Sequence, residues 1–381
     1  MTTDRPALID RVGRRYPIDE PRWCGDDGSP LLVEPLPGIT RERIDPGIPS
    51  QWRYAAALAL PDTPAVSLGE GRTPLLPRRL GGLDVAVKVE TANPTASFKD
   101  RGTSVMISTL RSQGVRAVLE DSSGNGGSSV AAYCAAAGID ARILAPEATS
   151  PAKILQSRIH GASVELVPGS RQDTADEALR RSAERFYASH NWHPHFIEGI
   201  KLIAYEIWED MGFTAPSAVV VPAGAGSLVL GCAAGFGELY RSGEIARMPR
   251  LLVTQPERCS PLVRAFASGA DGVEPAEWAP TLAEGTAIAR PVRDREVLRA
   301  IRDTAGAMTA VAEERLRPAT LALARTGLYA EPTSAQVVPG VEQFARDGHL
   351  TRDDDIVVVL TGSGLKASAA MARLLDAEPD R

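Results

Sequence analysis

The sequence predicts an α/β fold with two wound, mostly parallel sheets, and three observations carry the prediction. Strand-like and helix-like patterns alternate from residue 66 onward. The runs SAVVVP, RLLVTQ and DIVVVLTG are apolar and rich in β-branched residues, as in strands that are buried on both faces. Strand–helix units also occur on both sides of the middle, so we expect two sheets facing a cleft, with ligands at the carboxyl ends of strands.

Composition places limits on both fold and function. A chain of 381 residues with 44% hydrophobic and 24% charged residues is typical of a globular protein with two domains. We predict an N-terminal arm or cap over 1–65 that is part of the large domain, a large domain over 66–103 and 200–381, and a smaller α/β domain over 104–199.

Charge and targeting signals point away from nucleic acid and membranes. The net charge of −6 argues against nucleic-acid binding, which needs a basic surface. The four cysteines have no paired spacing, as expected of reduced thiols in a cytoplasmic protein. The sequence begins without a secretory signal, and prolines and glycines interrupt the uncharged run over 211–237. We therefore expect a cytoplasmic protein without a transmembrane segment.

The elements follow one another in a regular order. The first 65 residues look irregular, and after the turn-rich SLGEGRTPLLP the alternating LDVAVKVE predicts a strand. AVLED predicts a strand before a glycine loop, and SSVAAYCAAAG predicts a helix that ends at Gly138. ARILAP and SVELVPG predict strands on either side of the helix PAKILQSRIHG, and DTADEALRRSAERFYASH predicts an amphipathic helix over 173–190.

The loop PAGAGSL follows the predicted strand SAVVVP and precedes a helix. Glycines there let the backbone approach a ligand, so the amides from Gly224 to Leu228 form a candidate phosphate cradle. Tight strand–helix packing explains the glycines equally well. A dinucleotide fingerprint is excluded because Val229 stands where the third glycine belongs, and no Gly-Lys-Ser/Thr follows.

Two further loops end predicted strands. In SSGNGGSS, the hydroxyls of Ser122 and Ser123, the loop amides and Asn125 are candidates to bind a carboxylate, although a polar helix cap is the alternative. In LTGSGLK, Thr361 provides a neutral hydroxyl, which could also cap a helix.

Lys99 in NPTASFKDRG adds an amine. Alone it reads as a surface lysine paired with Asp100. A lysine held among apolar groups can instead act as a nucleophile toward aldehydes. An amine, a phosphate cradle, a carboxylate loop and a lone hydroxyl together match what pyridoxal phosphate and an amino acid require.

These motifs resemble the threonine synthase branch of the fold-type II pyridoxal-phosphate enzymes. The resemblance covers nearly the whole chain, through WRY, SLGEGRTPL, NPTASFKDRG, SSGNGGSSVAAY, PAKILQ, FIEGIKLIAYEIWE, VVVPAGAGSL, AEGTAI, YAEPTSA and LTGSGLK. It implies two wound sheets with the cofactor in the cleft between the domains, and the larger domain as the cofactor-binding one.

The resemblance also implies roles for individual residues. Lys99 would form the internal Schiff base, Asn125 would bind the ring hydroxyl, and Thr361 would face the pyridine nitrogen without forcing its protonation. Glu331 would line the far side of the cofactor or serve a structural role. The implied cofactor-binding set is Lys99, Phe98, Asn125, Gly224, Ala225, Gly226, Ser227, Leu228, Glu331 and Thr361. The implied substrate-binding set is Ser122, Ser123, Gly124 and Gly126.

The implied activity is that of a carbon–oxygen lyase in amino-acid biosynthesis. The substrate amine would displace Lys99, whose amine would then remove the α-proton. Phosphate would leave from the γ-carbon of O-phosphohomoserine, and water would add at the β-carbon to give threonine. The family also implies a homodimer.

Some positions depart from the threonine synthase pattern. Gly126 and Gly127 stand where a threonine and a serine are usual, so a hydroxyl near the substrate is missing and a more open pocket is expected. Other departures are Ala225, Ser227, Ser363 and Ala367. They leave open β-replacement or β-elimination on another activated amino acid such as O-phosphoserine or O-acylserine, as in cysteate synthase, cysteine synthase or a dehydratase, and a non-catalytic amino-acid-binding relative.

No metal is expected. The N-terminal RWCGDDGSP resembles the start of a zinc ribbon, but Cys24 is a single thiol. The histidines of HNWHPH have no carboxylate or cysteine at a useful sequence spacing.

Overall fold

The secondary structure alternates as the sequence predicts. The structure, a computed structural model, describes residues 5–60, 64–149 and 151–376. Its strands are β1 (Ala7–Ile9), β2 (Arg15–Pro17), β3 (Leu32–Val33), β4 (Leu75–Leu80), β5 (Leu83–Val89), β6 (Ala117–Glu120), β7 (Asp140–Pro146), β8 (Ser163–Val167), β9 (Phe186–Tyr187), β10 (Ala218–Pro222), β11 (Arg250–Pro256), β12 (Ala307–Val311) and β13 (Ile356–Leu360). Its α-helices are α1 (Lys99–Ser112), α2 (Asn125–Ala137), α3 (Pro151–Ile159), α4 (Arg171–Arg181), α5 (Pro194–Asp210), α6 (Ser227–Arg241), α7 (Pro261–Ala267), α8 (Asp294–Asp303), α9 (Glu313–Arg325), α10 (Pro332–Ala335), α11 (Val337–Arg346) and α12 (Ser368–Asp376).

The chain divides into two compact units. Unit 1 consists of Met1–Arg72, Lys99–Glu206 and Ala234–Ala246, and unit 2 consists of Thr73–Phe98, Ile207–Ala233 and Arg247–Arg381. The chain passes from unit 2 to unit 1 between Phe98 and Lys99. The division groups the first 72 residues with unit 1, whereas from the sequence we expect 1–65 to be part of the large domain. The domain boundaries inferred from sequence stay a prediction.

Unit 2 contains a six-stranded sheet in the order β12-β11-β10-β13-β5-β4. Its strands are parallel except for β4, which pairs antiparallel with β5. Every residue of β10 and β13 is buried, which explains why both read as unbroken apolar runs. Because β10 and β13 are parallel neighbours, the loops after them lie at the same edge of this sheet.

Unit 1 contains a parallel sheet in the order β8-β7-β6-β9. Strand β6 leads into the serine–glycine loop, and β9 leads into the histidine cluster. Since β6 and β9 are adjacent and parallel, their following loops meet at one edge. The N-terminal segment, which we expected to be irregular, contains a small antiparallel sheet in the order β2-β1-β3.

The helix predicted over 173–190 is wrong in its second half. Helix α4 begins after Ser170, whose side chain and that of Asp173 form a capping box, and it ends at Arg181. Phe186 and Tyr187 instead form β9, with Leu119 opposite Tyr187. Pairing with β6 and an edge contact of Tyr187 with the Trp23 ring, 5.2 Å between centroids, outweigh the local helical pattern.

No helix among the described residues is long and apolar enough to cross a bilayer. The uncharged stretch that follows residue 210 is divided between β10, a glycine loop and α6, as predicted.

Candidate active site

Lys99 is the first residue of α1 in unit 1, and its side chain is half-buried. Its Nζ lies 5.6 Å from the centroid of the Phe196 ring, at the start of α5. Helix α5 approaches α1 closely here, since a Cβ on Gly102 would lie 2.6 Å from the Phe196 ring. The amine of Lys99 therefore faces an aromatic surface, as the neighbouring apolar residues in the sequence suggested.

Helix α1 is fixed relative to α2, which starts at the serine–glycine loop. Asp100 is fully buried and accepts a 2.6 Å hydrogen bond from the Ser129 hydroxyl of α2. Trp52 Nε1 and the Tyr133 hydroxyl both donate to Glu70, at 2.8 Å each. These buried bonds tie α1, α2 and the N-terminal segment together and hold Lys99 in a fixed position within unit 1.

The loop over 122–126 follows β6 and ends at the first turn of α2. Ser122 is 9% exposed, Ser123 and Asn125 are half-buried, and Gly124 is exposed. The Ser122 hydroxyl accepts a weak bond from the Gly124 amide at 3.4 Å. Polar groups are thus arranged around a helix N-terminus, where an anion is favoured.

His190 lies beside this loop. Its Nδ1 is 2.8 Å from Glu120 Oε1, and its backbone N–H donates to Glu120 Oε2 at 3.0 Å. Burial and the nearby Asp121 carboxylate raise the pKa of Glu120 well above its usual range. Burial and the Lys99 ammonium lower the pKa of His190 well below its usual range. Both shifts favour neutral forms of the pair.

Asp121 differs from its neighbour Glu120. Burial opposes its ionisation, but the Arg171 guanidinium, 2.8 Å from Asp121 Oδ2, lowers the pKa of Asp121 overall. The pKa values of these two adjacent buried carboxyl groups are thus shifted in opposite directions, because the Arg171 guanidinium is in direct contact with Asp121.

In unit 2, the loop over 224–228 connects β10 to α6 and leaves its amides available. Within the part of the chain that the structure describes, the backbone N–H groups of 224–228 have no hydrogen-bond acceptor, whereas the Ala223 N–H donates to Thr254 O at 2.9 Å. Gly226 has φ +87°, and a Cβ there would lie 2.2 Å from Val297 Cγ2. The loop therefore requires glycine at 226, and it presents unpaired donors to an anion.

Thr361 follows β13 and is held by Ser334. The Ser334 hydroxyl oxygen accepts from the N–H groups of Thr361 at 2.7 Å and of Gly362 at 2.9 Å, and it lies 2.8 Å from Thr361 Oγ1. With its lone pairs engaged, Ser334 has its hydrogen left to donate, either to Thr361 Oγ1 at 2.8 Å or to Gly362 O at 3.3 Å, and the shorter distance favours Thr361. The hydrogen of the Thr361 hydroxyl is then left for another acceptor.

The other predicted residues of unit 2 cluster around the same strand end. The Phe98 N–H donates to Thr361 O at 2.9 Å, and the Glu331 N–H donates to Gly362 O at 3.1 Å. Glu331 and Phe98 are each 9% exposed. The Gly285 N–H donates to Thr333 Oγ1 at 2.9 Å, which connects the AEGTAI segment to the start of α10.

The predicted residues fall into two groups: Lys99 and the loop over 122–126 belong to unit 1, and Phe98, the loop over 224–228, Glu331 and Thr361 belong to unit 2. Sequence reasoning missed Ser334, Phe196 and the contact between His190 and Glu120. The HNWHPH cluster was a visible signal, but its carboxylate partner lies 70 positions away in the chain.

Comparison with known proteins gives a consistent result. Residues 66–362 match the family described as pyridoxal-phosphate dependent enzyme. A threonine synthase of Methanocaldococcus jannaschii is 33% identical over 377 residues, which are 95% of this chain and 93% of the relative. A threonine synthase of Mycobacterium tuberculosis is 32% identical over 84% of this chain and 89% of its own.

Solved structures show the same fold. A threonine deaminase of T.th. superposes with a TM-score of 0.64 at 27% identity, covering 77% of this chain and 92% of its own. An L-serine ammonia-lyase of Rhizomucor miehei superposes with a TM-score of 0.68 at 19% identity, over 80% of this chain and 98% of its own. The expected α/β fold is confirmed.

Proposed function

Because the chain belongs to the family of pyridoxal-phosphate dependent enzymes, we propose that it is a threonine synthase, which converts O-phosphohomoserine and water into threonine and phosphate. The observation that carries the proposal is the similarity to a threonine synthase over 95% of this chain and 93% of that relative, without a large unmatched region on either side. The enzyme depends on pyridoxal phosphate, as its family does.

The residues present fit this cofactor. Unpaired amides over 224–228 suit its phosphate, and the remaining hydrogen of the Thr361 hydroxyl suits an unprotonated pyridine nitrogen. Asn125 suits the ring hydroxyl, and Phe98 and Glu331 complete the set. Lys99 is the residue that we assign to the covalent link with the cofactor aldehyde. When bound, the cofactor withdraws electrons from the substrate carbons next to the amine.

The chain's own groups perform the remaining tasks. The Lys99 amine accepts the α-proton of the substrate and returns protons to the substrate carbons. Ser122, Ser123, Gly124 and Gly126 bind the substrate carboxylate at the N-terminus of α2. A hydroxyl at Thr361, where no carboxylate enforces a protonated ring nitrogen, favours elimination and replacement over transamination.

The test is a substrate comparison with the full chain loaded with pyridoxal phosphate. We expect O-phosphohomoserine to give threonine and inorganic phosphate in equal amounts, measured by amino-acid analysis and phosphate release. O-Phosphoserine, O-acetylserine, serine and threonine serve as competing substrates. Turnover of one of these without threonine formation from O-phosphohomoserine would replace our proposal with β-replacement or β-elimination, and binding without any turnover would indicate a non-catalytic relative.

Substitution of Gly226 tests the phosphate loop. Gly226→Ala places a Cβ 2.2 Å from Val297 at a φ of +87°, so the loop has to shift and its amides lose their alignment. We expect the dissociation constant of pyridoxal phosphate to rise by about 10-fold or more. The matched control is Gly243→Ala, which has a similar φ of +79° but open space around its Cβ. Equal dissociation constants of pyridoxal phosphate in Gly226→Ala and Gly243→Ala would refute the assignment of residues 224–228 to the phosphate.

Substitution of Ser334 tests the Thr361 hydroxyl. Ser334→Ala removes the acceptor of two buried N–H groups, which costs about 1–3 kcal/mol of stability, and releases the Thr361 hydroxyl from its orientation. We expect a lower thermal midpoint and an altered absorption spectrum of the bound cofactor. Ser182→Ala, which only removes a donor to Leu179 O, is the control and should leave the spectrum unchanged.

We further propose that the enzyme acts in the cytoplasm as a homodimer. Sedimentation velocity of the loaded protein is expected to give twice the mass of 40.5 kDa. A monomer at all concentrations would contradict the second part of this proposal.

A further inference from the structure

The imidazole of His190 fills the space that Gly126 leaves in the substrate loop. A Cβ at position 126 would lie 2.7 Å from both Cε1 and Nδ1 of this ring and 3.0 Å from Ser122 Oγ. The sequence predicted a more open pocket here because a hydroxyl side chain is missing. The structure instead places a ring, 7% exposed, against the loop.

Glu120 fixes the orientation of that ring. Its two carboxyl oxygens contact Nδ1 and the backbone N–H of His190, at 2.8 Å and 3.0 Å. The contact follows from topology, since β6 ends at Glu120 and the chain leaving the adjacent β9 reaches His190 three residues later. Among the described residues, Nε2 has no hydrogen-bond partner. The His190 ring is therefore more than nine-tenths buried, with Nδ1 hydrogen-bonded to Glu120 and Nε2 available to a ligand.

The charge state of the pair determines what Nε2 offers. The pKa of Glu120 is raised by burial and Asp121, and that of His190 is lowered chiefly by burial, which does not depend on whether Lys99 is linked to the cofactor, while Arg171 pairs with Asp121. Because Glu120 Oε2 accepts the His190 backbone N–H, a neutral Glu120 carboxyl has its proton on Oε1 and donates it to Nδ1. The hydrogen of the neutral imidazole is then on Nε2, which makes Nε2 a donor.

His190 also shares a wall with the catalytic amine. Its ring lies 5.7 Å from the Phe196 ring, and Lys99 Nζ lies 5.6 Å from the same ring. Gly126, Ser122, His190 and Lys99 therefore surround one region of unit 1.

We propose that His190 contacts the substrate, donating a hydrogen bond from Nε2 to one of its anionic oxygens at the place that Gly126 leaves without a side chain. The inference rests on the proposed function, because the oxygen belongs either to the α-carboxylate or to the phosphate ester of the amino-acid substrate. Glu120 is the residue that positions the ring.

The first experiment compares His190→Ala and His190→Gln with the wild-type holoenzyme. Loss of one hydrogen bond to a charged oxygen raises the KM for O-phosphohomoserine about 10-fold to 100-fold in His190→Ala. His190→Gln keeps an N–H donor and recovers part of that loss. Spectral titration with threonine, which has the α-carboxylate but no phosphate ester, shows which of these two groups His190 contacts. Weaker threonine binding assigns the carboxylate, and unchanged threonine binding with a raised KM assigns the phosphate ester.

A second experiment uses the steric relation between His190 and Gly126. Gly126→Ser alone clashes with the ring and is expected to raise KM. In the His190→Ala background the ring is gone and only the Ser122 Oγ contact at 3.0 Å remains, so Gly126→Ser supplies a hydroxyl donor and lowers KM relative to His190→Ala. The proposal would be overturned if the increases in KM of the two single variants simply added in Gly126→Ser/His190→Ala. A wild-type KM in His190→Ala would overturn it as well.

A third measurement does not depend on turnover. Nitrogen-15 spectra of histidine-labelled full chain, assigned with His190→Gln, are expected to show His190 as neutral with its hydrogen on Nε2. A hydrogen on Nδ1 and a bare Nε2 would contradict the inference. Failure of the proposed function is distinct, because the wild-type enzyme would then form no threonine, whereas this spectrum would be unchanged.

Discussion

Replacement of Lys99 by alanine is expected to lower kcat for threonine formation by about 10³-fold or more. The amine is assigned both the covalent link to the cofactor and the proton transfers, and the first turn of α1 offers no second amine. Steady-state kinetics measure the loss. Borohydride reduction of the wild-type holoenzyme, followed by peptide mass spectrometry, should attach the cofactor to the peptide that contains Lys99.

Lys366→Ala provides the matched control. Its Nζ donates to Thr95 O at 2.8 Å, and it has no role in the proposed chemistry, so turnover should be retained. Near-normal turnover in Lys99→Ala, or a reduced cofactor attached to another lysine, would refute the assignment of Lys99.

Replacement of Arg101 by methionine is expected to lower the free energy of unfolding by about 3–5 kcal/mol. Arg101 and Glu206 are both fully buried and form a two-pronged ion pair, with NH1–Oε2 and NH2–Oε1 distances of 3.0 Å and 2.8 Å. Without Arg101, the buried Glu206 carboxylate loses the cation that contacts both of its oxygens, while the hydrogen bond from the Arg72 N–H at 2.8 Å remains. Urea unfolding at a fixed cofactor concentration measures the change, because bound cofactor also stabilises the fold.

An exposed ion pair gives the comparison. Arg299 and Asp303, 83% and 66% exposed with an Nε–Oδ2 distance of 3.4 Å, should contribute little, so Arg299→Met should leave the unfolding midpoint almost unchanged. The double variant Arg101→Met/Glu206→Leu should be more stable than Arg101→Met, since no charge is then left unpaired. If Arg101→Met matched Arg299→Met, the buried pair would not contribute as we argue.

Much of the fold could be predicted because its signals are local. The unbroken apolar runs of β10 and β13 indicate strands buried on both faces, and Gly138, with φ +69°, ends α2 where the sequence predicted. The helix predicted over 173–190 is wrong at β9 because the signal for this strand is not local. Its two residues are a strand only because β6 lies beside them, and a contact between positions 118 and 186 leaves no trace in the local pattern.

The candidate site shows the same difference between local signals and long-range contacts. Lys99, the loop over 224–228 and Thr361 could be proposed from sequence because each is a distinctive residue type or glycine pattern at a strand end or helix start. Ser334 could not, because no local pattern distinguishes it from other serines. Its role depends on two N–H groups that lie 27 and 28 positions away.

By itself, the sequence determined the α/β class and the cofactor, and it predicted Lys99 as the lysine that binds this cofactor, because glycine loops, turn residues and apolar periodicity act over a few neighbouring residues. Only the tertiary structure decided which side chain packs against Gly126, namely His190. The sequence shows only that Gly126 has no side chain. Adjacent parallel strands bring the His190 ring into the space beside Gly126 and place Glu120 where it orients this ring. The charge states of that pair also depend on burial and on Asp121, Arg171 and Lys99, which fold together from distant segments.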